Sequence, residues 1–152
     1  MIVRDEAHVV GESIASLLPH IREFVVVDTG STDGTPRIVR ELFDRLKVPG
    51  FLFERPWRDF GHNRSEALRL ARTHATADYL WMIDADDVLV GEPRLAKLDL
   101  DGYDVRYGPG LEYWRPQIFK RTAPWRYVGV LHEYATCDAP GATTGRLGGD
   151  YY

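Results

Sequence analysis

Phe24-Val25-Val26-Val27-Asp28-Thr29-Gly30-Ser31-Thr32-Asp33-Gly34-Thr35-Pro36 passes from an unbroken apolar run, through a polar glycine-containing loop, into a helix start. A continuous β-branched run suits a strand covered on both faces, as in a parallel sheet. Thr35 is placed to cap the helix and Pro36 to occupy its first turn. Ile38, Val39, Leu42, Phe43 and Leu46 then recur on one helical face. A strand that runs through a short polar loop into an amphipathic helix is the repeating unit of an α/β fold.

The same unit recurs on either side. Upstream, Met1 to Val3 is an apolar stub, and Glu6 to Leu18 sets Val10, Ile14, Leu17 and Leu18 at helical spacing before Pro19. Downstream, Phe51 to Phe53 reads as a strand, Asn63 to Arg72 as a helix, and Tyr79 to Ile83 as a strand that ends at Asp84. The alternation predicts an α/β, Rossmann-like, mostly parallel sheet flanked by helices. Beyond Val88 the helical period fades and tyrosine and tryptophan accumulate. Short strands are expected over Asp104–Tyr107, Gln117–Lys120 and Tyr127–Leu131, in an irregular β-rich second half. The reading is one domain over 1–138, with a nucleotide-binding half (1–87) and an acceptor half (88–138). The glycine- and threonine-rich residues 139–152 read as a flexible tail.

Bulk composition bounds the function. The 152 residues are 44% hydrophobic, enough for a folded core. With 19 basic and 23 acidic side chains the formal charge is −4, which gives no reason to expect nucleic-acid binding. The single cysteine, Cys137, excludes an internal disulfide or a cysteine-based zinc site, and the charged start, Met1 to Ala7, has no leader character. No apolar run reaches the ~20 residues of a membrane span. These features lead to the expectation of a cytoplasmic chain of unspecified oligomeric state.

Several segments carry chemistry. Asp84-Ala85-Asp86-Asp87 places three carboxylates in four positions after an apolar strand. Their mutual repulsion is relieved directly by a divalent cation, and oxygen ligands favour Mg2+ or Mn2+. The alternative is an acidic turn. Asp28 ends a strand beside a hydroxyl-rich loop, suited either to a nucleoside or to an ordinary turn. Arg64, near a helix start, is placed to pair with diphosphate oxygens or to lie solvated at the surface. His132, in Gly129-Val130-Leu131-His132-Glu133-Tyr134, is either a nitrogen ligand brought from the second half or a packed side chain.

Taken in order, Met1-Ile2-Val3-Arg4-Asp5-Glu6, Val27–Thr35, Pro56-Trp57-Arg58-Asp59-Phe60 with Arg64, Asp84-Ala85-Asp86 and Gly129–Glu133 resemble family 2 glycosyltransferases of GT-A fold, from Met1 to about Tyr134. The resemblance implies a nucleotide-sugar donor, UDP- or GDP-linked, and transfer of the sugar, usually with inversion, to an acceptor the sequence does not name. It places Val3, Arg4, Glu6, Asp28, Arg64, Asp84 and Ala85 around the donor. Asp84, Asp86 and His132 fall around a Mn2+ or Mg2+ ion. The chain departs from the family in three places. The first strand is short before Val3, Ser65 replaces the asparagine usual after the helix-start arginine, and the commonest catalytic aspartate motif is not recognisable. Glu133 and Asp87 are the candidates for the base. The alternative of another class is an inactive nucleotide-sugar-binding or scaffold module of the same fold. A nucleotidyltransferase would need a glycine-rich loop after the first strand, where this chain has no glycine before Gly11.

Overall fold

Adjacent residues Val26 and Val27 lie in different cores, which is why the strand carrying them is apolar without alternation. A computed structural model describes all 152 residues. In it β1 (Ile2–Val3), β2 (Phe24–Asp28) and β3 (Gly50–Glu54) form a parallel three-stranded sheet in the order β1-β2-β3. On one face α1 (Val10–Leu17) and α2 (Thr35–Leu46) pack Val10, Ile14, Leu17, Val39 and Leu42 against Val26. On the other, α3 (Phe60–His74) packs Ala67, Leu68 and Leu70 with Val27.

The expected single sheet is divided. β4 (Tyr79–Trp81) does not pair with the first sheet. It runs antiparallel to β7 (Tyr113–Lys120), which pairs antiparallel with β6 (Gly102–Tyr107). β10 (Thr144–Arg146) adds to β6 in parallel, giving a sheet ordered β10-β6-β7-β4. Two ribbons complete the structure: β8 (Trp125–Val128) with β9 (Tyr134–Cys137), and β5 (Gly91–Pro93) with β11 (Gly149–Tyr151).

Element boundaries shift for local reasons. The first helix begins at Val10, because residues 7–9 form a turn in which the Glu6 carbonyl accepts from the Val9 and Val10 amides. Thr35 is the first helical residue rather than the cap. Asp33 Oδ1 takes its amide at 3.0 Å and its hydroxyl at 2.6 Å, while Gly34 supplies a left-handed φ of 92°. α3 starts earlier than its periodicity indicates, at Phe60, because Asp59 caps it by accepting the His62 amide at 2.7 Å. The strand expected over Tyr127–Leu131 spans Trp125–Val128 instead. Gly129 (φ 111°) turns the chain out of β8 and His132 (φ 58°) lies in the loop that follows.

The expectation of a flexible tail is corrected. Residues 139–152 carry β10 and β11, and Leu147 and Tyr151 are buried with Tyr103, Val105 and Ile118. The Tyr151 hydroxyl donates to the Leu147 carbonyl at 3.1 Å and accepts the Arg106 amide at 3.2 Å. Composition pointed to disorder because glycines and threonines cannot themselves build a core, but two apolar residues anchor the segment. We expect Tyr151→Ala to cost about 3–5 kcal/mol, as large aromatic truncations in cores do. Urea denaturation checks this, and a loss under about 0.5 kcal/mol, the range of ordinary surface changes, would mean the segment is detached.

Candidate functional site

The site is organised by a buried arginine. Arg64, in the first half of α3, has a side chain only 7% exposed. Its Nη1 lies 2.5 Å from Asp84 Oδ1, just past the end of β4, and its Nε lies 2.8 Å from Glu133 Oε1 in the β8–β9 loop. The Nε–H is not aimed at Glu133 and has no aligned acceptor, so that contact is a charge pairing more than a directed hydrogen bond. The guanidinium also sits 5.7 Å from the centre of the Tyr127 ring. Two local features bring Glu133 here. Gly61 meets the loop so closely that a Cβ would fall 2.3 Å from the Gly129 carbonyl oxygen. Ser65 Oγ accepts the Tyr127 amide at 2.9 Å and donates to the Tyr127 carbonyl at 3.1 Å, stitching β8 to α3.

Asp84 is held on both sides. Arg115, on β7, reaches its Oδ2 at 3.3 Å. Burial alone would raise the Asp84 carboxyl, but the hydrogen bonds and charges of Arg64 and Arg115 outweigh it and hold the group below the usual carboxylate range. Arg64 shows the reciprocal effect: burial opposes its charge, and Asp84 with Glu133 raises it regardless. Both Asp84 oxygens are engaged by arginines, one by Arg64 and the other by Arg115. Asp86 is exposed and makes no ion pair. Asp87 closes its own turn. Its Oδ2 accepts the Asp84 amide at 3.2 Å and the Tyr107 hydroxyl at 2.6 Å, and Gln117 donates to Tyr107 at 2.5 Å. Burial, countered in part by the Tyr107 bond, raises the Asp87 carboxyl.

Two adjoining hollows lie at the carboxyl ends of β1 and β2. The larger, about 510 Å3, is lined by Val3, Arg4, Glu6, Arg64, Asp84, Ala85 and Asp86 together with Thr29, Trp57 and Phe60. Six of the seven residues expected around the donor are therefore gathered in one cleft. The seventh, Asp28, lines a neighbouring hollow of about 400 Å3 with Glu54, Arg55 and Pro56. Its carboxylate accepts the Gly30 and Ser31 amides at 3.1 Å each and the Ser31 hydroxyl, so much of its accepting capacity serves its own loop. Asp28 and Thr29, and Pro56 and Trp57, are chain neighbours divided between the two hollows.

His132 is exposed one residue before Glu133. No three histidine, cysteine, aspartate or glutamate side chains are close enough to hold a metal by themselves, so Asp84, Asp86 and His132 do not form a ready-made site. Arg115, Tyr107 and Gln117 went unnoticed in the sequence. Arg115 and Gln117 alternate on β7 and Tyr107 ends the neighbouring β6, a proximity that only the strand register creates.

Residues 1–130 match the family model described as glycosyl transferase family 2. The chain belongs to that family. It is 37% identical over 93 residues to a TPR repeat-containing protein of Synechococcus elongatus, covering 60% of this chain and 21% of that protein. It is 34% identical over 89 residues to the lipopolysaccharide core biosynthesis glycosyltransferase LpsC of Rhizobium meliloti, covering 59% of this chain and 31% of LpsC. The chain thus spans between about a fifth and a third of the length of these curated relatives. A crystal structure of S. aureus TarS 1-349 aligns with 58% of this chain and 26% of its own, at 25% identity and a TM-score of 0.49. The glycosyl transferase family 2 match ends within the β8–β9 loop, three residues before Glu133, which meets Arg64 beside Asp84.

Removing one member of a buried ion pair leaves a charge without a partner, so Arg64→Ala is expected to cost about 3–5 kcal/mol. A double-mutant cycle with Asp84→Asn should return a coupling of at least about 1 kcal/mol. The sign of the pH effect follows from the lowered Asp84 carboxyl. Its stabilisation is complete above the ordinary aspartate pKa of about 3.9 and is lost as pH falls through the lower folded value. Denaturation midpoints between pH 7 and pH 2 should fall less steeply at the acid end in Asp84→Asn than in the wild type. Parallel acid limbs would mean that Asp84 carries no such linkage.

Proposed function

We propose that this chain is a glycosyltransferase that moves a sugar from a nucleoside-diphosphate sugar, UDP- or GDP-linked, to an acceptor hydroxyl with inversion. The observation that carries this reading is the unpaired Asp86 beside a fully paired Asp84, at a cleft that also holds Arg4 and Arg64. The adjoining hollows suit an extended ligand, with the nucleoside beside Asp28 and the diphosphate and sugar in the larger cleft. No helix is long and apolar enough to cross a membrane.

The donor set fits a divalent cation. Glu6 lines the same cleft as Asp86, and its carboxyl is raised by burial and by the charge of Asp86. Two neighbouring carboxylates without a basic partner are relieved by Mg2+ or Mn2+. Asp86 and Glu6 would hold the ion, with His132 of the β8–β9 loop as a further candidate ligand. When bound, the ion supplies Lewis-acid stabilisation of charge on the departing diphosphate. Arg4 and Arg64 add fixed positive charge on the same cleft. The acceptor oxygen attacks the anomeric carbon, the bond to the diphosphate breaks, and Glu133 takes the hydroxyl proton. Glu133 is preferred to Asp87 because it contacts Arg64, which lines the cleft, and is not committed to a hydrogen bond that closes its own turn. Asp87 is spent on its own turn and lines a different hollow.

Mn2+ with UDP or GDP should raise the melting temperature well above the shift given by the nucleotide with excess chelator, by mass action. Asp86→Asn should remove that difference while leaving the unliganded melting temperature nearly unchanged, since the side chain is exposed. Equal shifts with metal and with chelator would defeat the metal assignment.

The two acids separate in kinetics and stability. Glu133→Gln is expected to abolish release of nucleoside diphosphate from the donor, by about 100-fold or more, with nucleotide affinity retained. Asp87→Asn should lower stability and leave residual turnover. The reverse pattern would assign the base to Asp87, and donor binding without turnover in the wild type would favour a binding module.

A further inference from the structure

The acidic motif is gripped from the second sheet by a chain of side-chain hydrogen bonds. Ala85 and Asp86 are the central residues of a turn in which the Asp87 amide donates to the Asp84 carbonyl at 3.2 Å. The Asp87 side chain closes the turn a second time, because its Oδ2 accepts the Asp84 amide, also at 3.2 Å. Asp84, at one end, is held by Arg64 and Arg115. Asp87, at the other, accepts the Tyr107 hydroxyl at 2.6 Å. Asp86 between them is exposed and lines the cleft, so its place there is set by the backbone of this turn.

The direction of the Tyr107 bond is fixed by chemistry that spans three strands. An indole N–H can only donate, and that of Trp81 on β4 lies 3.4 Å from Gln117 Oε1 on β7. With its oxygen turned to Trp81, Gln117 presents Nε2 to the Tyr107 oxygen on β6 at 2.5 Å. The Tyr107 oxygen therefore accepts from Gln117, and its single proton is left for Asp87. Gln117 is only 3% exposed, which keeps this amide out of exchange with solvent partners. The chain Trp81–Gln117–Tyr107–Asp87 thus crosses β4, β7 and β6 and ends on the turn that carries Asp86.

We propose that Tyr107 is a positioning residue for Asp86: its hydroxyl holds the Asp84–Asp87 turn in the shape that presents Asp86 to the cleft. The inference rests on the reading of Asp86 as a ligand of the divalent cation. Tyr107 does not line that cleft and acts through Asp87. Groups that orient a metal ligand from behind typically change metal affinity 10- to 100-fold when removed. The Tyr107 ring has separate contacts. The Arg115 guanidinium lies 5.4 Å from its centre, and Tyr113 stacks on it at 4.9 Å. Tyr107→Phe keeps the ring for both and removes only the hydroxyl.

The test compares the wild type with Tyr107→Phe and with Tyr79→Phe. Tyr79 belongs to the same sheet, but its hydroxyl donates to the Leu100 carbonyl at 2.8 Å, away from the acidic turn. Tyr79→Phe therefore reports what the loss of one hydroxyl does to the sheet alone. Two quantities are read: Mn2+ affinity at saturating UDP or GDP, from the paramagnetic resonance of free Mn2+, and hydrogen exchange of the Asp84 amide without ligand. Tyr107→Phe should weaken Mn2+ by about tenfold or more and speed Asp84 exchange by at least about tenfold. Tyr79→Phe should change neither, whatever it does to the melting temperature. The proposal is overturned if either quantity stays at its wild-type value in Tyr107→Phe, or if Tyr79→Phe moves both as far. Should the wild type bind no Mn2+ with either nucleotide, the reading of Asp86 as a ligand falls by itself. The exchange comparison then still decides whether Tyr107 holds the turn.

Discussion

A guanidinium with almost no access to water must find negative charge within the protein, and Arg64 finds it in both halves of the chain. Asp84 comes from the end of the first α/β run and Glu133 from the loop between the last long strands. Desolvating three charged groups is costly, and the cost is offset only when all three arrive together. That requirement ties α3, the β4 terminus and the β8–β9 loop to one geometry. Gly61 and Ser65 serve the same end, one by admitting the loop backbone against α3 and the other by bonding β8 to it.

The pairing also divides labour within a short acidic motif. Asp84, which lines the cleft, is paired with two arginines. Asp87 turns back on its own backbone and receives Tyr107. Asp86 alone is left with its charge exposed, next to Glu6. Three similar carboxylates in four residues thus acquire three different tasks from their surroundings, a difference of partner and burial rather than of residue type. The cleft is electrostatically mixed, lined by Arg4 and Arg64 as well as Glu6 and Asp86.

The alternation of apolar runs and amphipathic helices up to Asp84 was legible because each run is continuous or periodic at the right spacing. The cleft was legible for a related reason. Apart from Val3 within β1 and Arg64 in α3, its residues fall just after strands, and in an α/β sheet the carboxyl ends of strands converge. Val3, Arg4, Glu6, Arg64, Asp84, Ala85 and Asp86 therefore meet without any knowledge of side-chain packing. The pairing of β4 with β7, the folded segment at residues 144–152 and the roles of Arg115, Tyr107 and Gln117 were not legible. Each depends on contacts between residues far apart in sequence, set by strand register.

By itself, then, the sequence determined the strand–helix alternation, the family and the positions that line the cleft, because period, turn chemistry and motif order are local properties of the chain. Only the tertiary structure decided which carboxylate is paired, which is free and which closes a turn. Those distinctions arise from burial and from partners brought in from other elements, and neither is written at the residue itself.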